Sequence, residues 1–333
     1  MINEKKLSTK ALVLIELREK QKPVNGNALA RTLGISRVAV WKAVQALTEA
    51  GYKIEVSKNG YFLDPKKDKD FLYPWEFGEK EPLFRHFGNT GSTMDRAREL
   101  AITGAAAGTV ITAEKQSAGR GRNGRTWISR QGGLFFTIID RPTLPLADYI
   151  LHSLVIQIAV ARTVSSVCGK QAHIRWPNDI YISRRKIAGV ITEISGEGDM
   201  INWLSTGVGV NINNYAVSGK SASCAEITGK PVSRREVLIR ILDEIEKVKK
   251  RFSSGAVYAQ GNRYLADEWN SMTDCIGVKA AILDQAASND KQGRVLARGV
   301  FDGIDPAGRC ILKTEGGRGN LYFNPGPVSM IYM

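Results

Sequence analysis

The sequence predicts a mixed α/β (α+β) central domain, with a winged helix-turn-helix in front of it and a small all-β barrel behind it. Three observations predict this. Helical apolar periodicity broken by a glycine turn, then alternation on either side of Asn59-Gly60, fills residues 1–64. Strands and amphipathic helices share residues 82–272, and short strands set apart by Gly, Asp and Pro occupy residues 273–333. A chain of 333 residues with 43% apolar content is long enough for two or three domains with cores of their own.

Leu7, Ala11, Leu14 and Ile15 fall on one face of a helix over residues 7–18. A second helix is predicted over residues 25–33. Gly34 stops it, and Gly34-Ile35-Ser36 turns the chain into a third helix that Ser36 caps and Gly51 ends. Tyr52, Ile54 and Val56 then alternate with Lys53, Glu55 and Ser57, and Asn59-Gly60 precedes Tyr61-Phe62-Leu63, which predicts a hairpin turning on Asn-Gly. That hairpin is the wing. With Val40, Val44 and Leu47 in the core, Arg37, Val38, Lys42 and Gln45 face outward beyond the cap Ser36. They suit a DNA groove, with Lys42, Lys53 and Lys58 placed to meet phosphates; a winged helix used only for protein contacts is the alternative. Residues 1–70 hold 14 Lys or Arg against 8 Asp or Glu, so a fifth of the chain carries nearly half of the net charge of +14. That balance calls for an anionic partner: nucleic acid, nucleotide phosphates or an acidic protein.

Residues 65–81 become charged and irregular and are read as a linker with some aromatic docking. In the central domain, strands are predicted near residues 83–87, 109–113, 133–139, 173–175, 180–182, 186–194 and 202–210, and helices near 93–101, 148–168 and 233–252. The last helix sets Val237, Leu238, Ile241, Leu242, Ile245, Val248 and Phe252 on one face. The most apolar helix, Tyr149 to Cys168, is interrupted by His152, Gln157 and Arg162 and reads as a buried helix, not a membrane span. Four scattered cysteines and three histidines argue against a zinc site or a disulfide framework. Without an apolar signal core after Met1, the chain is expected in the cytoplasm, with no membrane partner. The barrel strands are expected near residues 278–283, 294–301, 310–314 and 321–323.

Several segments carry chemistry. Gln116-Ser117-Ala118-Gly119-Arg120-Gly121-Arg122-Asn123-Gly124-Arg125-Thr126-Trp127 packs three arginines and three glycines between two strands. Glycine lets backbone amides approach an anion and arginine supplies a permanently charged fork, so the loop suits a phosphate-bearing ligand. Gly-Arg runs also occur in RNA-binding tails and solvated loops. Arg175-Trp176-Pro177-Asn178-Asp179 is either a plain β-turn or a charged ligand site at a strand end. Gly189, Gly207 and Gly209 mark strand backbone that a flat ligand can approach, or close packing between elements. Ser92-Thr93 opens a helix, as an N-cap or as ligand-facing hydroxyls.

In this order, Gly91-Ser92-Thr93, Gln116 to Arg125, Arg175 to Asp179, Arg185 to Gly189 and Gly207 to Asn211 resemble biotin protein ligases. With the winged helix in front, the chain resembles the bifunctional form that is also a biotin operon repressor. The resemblance spans essentially the whole chain. It implies a central domain like the class II aminoacyl-tRNA synthetase folds and an SH3-like C-terminal barrel. It implies that biotin and Mg2+-ATP give biotinyl-5′-adenylate and pyrophosphate, and that biotin then passes to a lysine of a biotin carboxyl carrier protein. Ser92, Thr93, Met94, Gln116, Gly119, Arg120, Gly121, Arg122, Trp127, Arg175, Gly189, Gly207 and Gly209 are then expected around biotin. Arg120, Arg122, Arg125, Asn178, Lys186 and Asn211 are expected around ATP, with Arg122, Arg175 and Lys186 as the catalytic group. Ser36, Arg37, Val38, Lys42, Gln45 and Lys58 are expected at operator DNA, bound by a ligand-promoted homodimer. No metal ligand is assigned.

One residue departs from the family pattern. The lysine that normally precedes Trp-Pro-Asn-Asp is replaced by Arg175. Arginine has a planar, bulkier head and no accessible neutral form, so the exchange is not conservative at a tight site. The rival readings are a lipoate or octanoate ligase and a biotin-sensing repressor with weak or no ligase activity.

Overall fold

A computed structural model describes residues 7–214, 219–254, 258–284, 294–314, 319–326 and 328–333. The chain divides into two compact units, one ending at His86 and one running from Phe87 to the C-terminus.

In the first unit, α1 (Thr9–Lys20), α2 (Gly26–Leu33) and α3 (Arg37–Glu49) enclose Val13, Leu14, Leu17, Leu29, Val40, Val44 and Leu47. A side-chain oxygen starts each helix: Ser8 accepts from the Ala11 amide at 3.2 Å, Asn25 from Asn27 at 2.8 Å and Ser36 from Ala39 at 3.1 Å. Gly34 closes α2 in the left-handed conformation. The first helix departs from the expectation in phase. Packing on α3 buries its Val13, Leu14 and Leu17 side, leaving Ile15 40% exposed.

The wing pairs β1 (Ile54–Ser57) with β2 (Gly60–Leu63), Ser57 opposite Gly60, so the turn is Lys58-Asn59 and not Asn59-Gly60. Gly60 is still required. Its φ is 120°, and a Cβ there would sit 2.1 Å from the Val24 carbonyl oxygen, where Val24 and Tyr61 exchange backbone hydrogen bonds of 2.8 and 2.9 Å.

Residues 65–81, expected as a linker, form a strap on this same unit. Along two 3-10 segments, Pro65–Lys67 and Pro74–Leu83, and the stretch that joins them, the rings of Phe71, Tyr73 and Trp75 follow in series beside Tyr52, Phe71 tilted on Tyr73 and Tyr73 stacked on Trp75. Arg18 clamps both ends of the strap, donating to the Asp68 carboxylate at 2.7 and 3.1 Å and to Glu76 at 2.8 and 2.9 Å. Glu76 also accepts a hydrogen bond from the Tyr52 hydroxyl. Spaced aromatics cover apolar surface while the carboxylates on either side of them, Asp68 and Glu76, answer a half-buried guanidinium, so the charged composition does not leave the segment solvated.

The second unit is built on β3 (Phe84–Thr90), whose first three residues belong to the first unit, β4 (Thr109–Gln116), β5 (Leu134–Asp140), β6 (His173–Arg175), β7 (Asp179–Ile182), β8 (Arg185–Glu197) and β9 (Met200–Val210). Their spatial order is β3-β4-β5-β9-β8-β7-β6, and every pairing from β4 to β6 is antiparallel. Its helices are α4 (Thr93–Ile102), α5 (Tyr149–Cys168), α6 (Cys224–Thr228), α7 (Arg234–Ser254) and α8 (Tyr258–Ser271). Among the described residues, α5 alone is long and apolar enough to cross a membrane, and 78% of its most apolar window is buried inside the protein. Two of its polar residues are matched there: Trp269 Nε1 donates to Gln157 Oε1 at 3.0 Å, and Gln157 Nε2 to Ser153 Oγ at 3.1 Å. Burial pushes the pKa of His152 down to about 4, against the pull of nearby Asp140. On α7, Val237, Leu238, Ile241, Ile245 and Val248 are buried as expected; the Phe252 side chain lies outside the described residues. All four cysteines are buried free thiols.

The C-terminal strands β10 (Lys279–Asp284), β11 (Arg294–Ile304), β12 (Cys310–Lys313), β13 (Asn320–Phe323) and β14 (Val328–Tyr332) form one antiparallel sheet in the order β13-β12-β11-β10-β14. Ala280, Ile282, Phe301, Cys310 and Leu312 are buried in it. This sheet belongs to the same compact unit as the seven-stranded one. Neither α8 nor β14 was expected from the sequence.

Candidate functional site

A cleft of about 750 Å³ opens over β8 and β9, between the start of α4 and the Gly-Arg loop. Its floor is bare backbone, because Gly189 lies opposite Gly209 across the strand pair and Gly207 opposite Ile191. The flat group over this floor is part of the protein. A Cβ on Gly209 would fall 2.5 Å from the Trp127 indole, and one on Gly207 would fall 2.4 Å from Met94 Sδ. The glycines thus make room for Trp127 and Met94, which become the apolar walls. Trp127 Nε1 is buried without a hydrogen-bond partner, and Lys186 Nζ sits 5.1 Å from the ring centroid.

One end of the cleft is a chain of neutral hydrogen bonds. Thr137 Oγ1 donates to Thr93 Oγ1 at 2.8 Å, Thr93 donates from its hydroxyl and its amide to Gln116 Oε1 at 3.1 and 2.8 Å, and Gln116 Nε2 donates to Ser129 Oγ at 2.7 Å. Ser92 is the N-cap of α4, accepting from the Met94 amide at 3.2 Å, while Thr93 is turned toward Gln116. Thr137 and Ser129 were not singled out from the sequence. For Thr137 a signal existed: it is a hydroxyl inside the apolar run Leu134-Phe135-Phe136-Thr137-Ile138-Ile139.

The other end is cationic. The Gly-Arg loop is a small hairpin: the Trp127 amide donates to the Gly119 carbonyl at 2.9 Å and the Gly121 amide to the Arg125 carbonyl at 2.7 Å. Arg120, Arg122 and Arg125 all line the cleft, with Gly121, Asn178, Asp179 and Lys186. Their partners differ. Arg120 pairs with Asp95 at 2.9 Å and Glu193 at 3.2 Å, and Lys186 with Asp179 at 2.7 Å. Arg122 donates instead to the carbonyls of Pro325, Gly326 and Val328 at 2.6, 2.5 and 3.2 Å. Burial lowers its pKa from the ordinary arginine value. Neutral acceptors hold the guanidinium in place without cancelling its charge.

Three expected site residues lie outside the cleft lining. Gly119 underlies the loop, where a Cβ would meet the Trp127 carbonyl at 2.4 Å. Asn211 is buried and accepts from Asn214 Nδ2 at 2.9 Å. Arg175 belongs to an adjoining cavity of about 520 Å³ that shares Arg122, Arg125, Asn178 and Asp179 with the cleft. There it makes a bidentate pair with Asp274, at 3.1 and 2.9 Å, and stacks over Tyr181 with 4.4 Å to the ring centroid. Its charge is answered by protein.

On the first unit, Arg37, Val38, Lys42, Gln45 and Lys58 are exposed as expected, and the Ser36 hydroxyl serves as the helix cap. Trp41, also exposed on this helix, was not expected. No cluster of three or more His, Cys, Asp or Glu side chains suited to a metal ion occurs among the described residues.

A model described as "Biotin/lipoate A/B protein ligase family" matches residues 88–211, and an "HTH domain" model matches residues 9–62. The chain is 30% identical to the bifunctional ligase/repressor BirA of Bacillus subtilis, over 90% of this chain and 92% of that protein. The chain belongs to this ligase/repressor family. The Escherichia coli BirA is 28% identical over 93% of this chain and 94% of its own. Among solved structures, a biotin protein ligase from Aquifex aeolicus in complex with biotin and ATP aligns with a TM-score of 0.61 at 25% identity, covering 75% of this chain and 99% of that one. Membership fixes which two features need explaining together: the glycine-floored cleft and the exposed face of α3.

Proposed function

We propose that this chain is an ATP-dependent biotin protein ligase and a biotin-responsive transcriptional repressor acting in the cytoplasm. The observation that carries the ligase reading is the polarity of the cleft: neutral donors and acceptors at Thr93 and Gln116, an indole wall, and a cationic lining of the loop arginines with Lys186. Biotin has the matching polarity, with a neutral ureido ring, an apolar body and a carboxylate tail. Ser92, Thr93 and Gln116 orient the ureido ring; Trp127 and Met94 exclude water along the body. Arg120, Arg122, Arg125 and Lys186 bring the carboxylate against the α-phosphate of ATP and hold the charge that develops as biotinyl-5′-adenylate and pyrophosphate form. A lysine amine of a biotin carboxyl carrier protein then attacks the acyl carbon of the adenylate, forming the amide and releasing AMP and a proton. Mg2+ enters with the nucleotide, which supplies most of its ligands, and Asp179 is the carboxylate on the cleft wall suited to share it. Arg175 acts as a positioning residue through Asp274. We read the central fold as like that of class II aminoacyl-tRNA synthetases and the C-terminal sheet as an SH3-like barrel.

The test is ATP-dependent biotin transfer to a carrier domain, preceded by biotin-dependent pyrophosphate exchange. Exchange driven by lipoate or octanoate instead of biotin overturns the substrate assignment. For the repressor, adenylate-loaded chains pair and place two copies of α3 on a two-fold operator. Addition of biotin and ATP is expected to tighten operator binding; an unchanged affinity refutes the coupling.

A further inference from the structure

The outward face of α3 is not uniformly polar. Val38 is 60% exposed and Trp41 48% exposed, and at helical spacing they share a face with Lys42 and Gln45, opposite the buried Val40, Ala43, Val44 and Leu47. Basic side chains flank them on the helix, Arg37 beside Val38 and Lys42 beside Trp41, and Lys53 and Lys58 at the wing are exposed as well. The two exposed carboxylates nearby are placed elsewhere, Glu49 at the last turn of α3 and Glu55 in an ion pair with Lys67 at 3.0 Å. The first two turns of the helix therefore present an apolar pair with a cationic rim made by Arg37 and Lys42.

That combination selects among polyanions. Phosphates satisfy the rim, but only an apolar group gains from Val38 and Trp41. On the base edges of the DNA major groove the apolar group is the C5 methyl of thymine. Duplex RNA lacks that methyl, and its deep, narrow major groove does not admit a helix. We infer that Val38 and Trp41 read thymine methyl groups in the major groove, so that each half-site this chain prefers carries thymine where α3 enters. The inference rests on the DNA-binding reading above and adds the base it recognises. Gln45 and Arg37, on the same helix, supply polar contacts to neighbouring base edges or phosphates.

The experiment uses the full chain with biotin and ATP. Duplexes retained from a random pool are sequenced, and each recurrent thymine is replaced singly by deoxyuridine, which keeps the pairing edge and removes only the methyl. For the wild type, at least one replacement per half-site is expected to weaken binding roughly fourfold, the value for one methyl withdrawn from apolar contact. Val38→Ala or Trp41→Ala should bind thymine and uracil duplexes alike at the affected position, while Val38→Ile should keep the thymine preference. Thermal unfolding of each variant checks that α3 is intact. Retained duplexes that tolerate uracil everywhere overturn the methyl inference and leave DNA binding standing. So does a thymine preference that survives in both alanine variants. If the wild type retains no duplex, the repressor reading and this inference fall together, and the apolar pair belongs to a protein interface.

Discussion

Arg122 of the Gly-Arg loop and Arg175 line the same cavity beside the cleft, and their charges are treated in opposite ways. Arg122 is held by three backbone carbonyls, whereas Arg175 is held by the carboxylate of Asp274. Fixing a cation with neutral acceptors leaves its field for a ligand; fixing it with an anion, as also for Arg120 and Lys186, means that a ligand meets the full charge only by displacing that partner. Two arginines that look equivalent in sequence are thus separated by what they face.

The largest effect that can break this contrast is on Arg122. Arg122→Ala is expected to lower biotin-dependent pyrophosphate exchange roughly 10²- to 10³-fold, the range for removing one pre-placed charge donor. A loss comparable to that of Arg175→Ala would end the distinction. Next comes the floor. Gly209→Ala sets a methyl 2.5 Å from the Trp127 indole. Displacing that wall should raise the KM for biotin by roughly tenfold, with a smaller change in kcat. An unchanged KM would mean that Trp127 does not border the biotin body.

The smallest effects belong to the Arg175 pair. Arg175→Lys keeps the charge and loses the fork, so it should lower stability by about 1 kcal/mol and leave adenylation close to wild type. A large fall in exchange rate would return Arg175 to the chemistry. The pair also has a pH signature. Burial alone would raise the Asp274 carboxyl, but hydrogen bonds from Arg175 and Cys275, with the Arg175 charge, hold it at about 2. A carboxyl depressed on folding stabilises fully above its unfolded value, about 4, and that stabilisation is lost as pH falls toward 2. Thermal melts between those limits should be less acid-sensitive in Asp274→Asn.

The sequence was readable where the deciding interactions are local. Ser36 and Gly34 announce the ends of α3 and α2 within three residues, and alternation announces the wing. It misled where the deciding partner is remote: Asp274 lies 99 residues from Arg175, and the Pro325 carbonyl 203 from Arg122. The motif reveals a cation there but not what neutralises it. Likewise β14, a short strand of Val328-Ser329-Met330-Ile331-Tyr332, is defined by pairing with β10 far upstream. In α8 the buried Leu265, Ala266 and Trp269 are too few among polar residues to stand out until Gln157 on α5 is seen to meet the indole. The glycines of β8 and β9 announce a close approach but not its partner, which is the protein's own Trp127 and Met94.

The strap over the first unit decides where this protein can be cut. A fragment ending at Asp64, the apparent end of the wing, would strip Arg18 of both carboxylates and bare the face of Tyr52 that Phe71 covers. Extending the fragment to His86 keeps Asp68, Glu76 and the series of three rings, and takes with it the first three residues of β3. For anyone wishing to transplant the DNA reader onto another effector, the module is the longer piece, and its last twenty or so residues are its clasp.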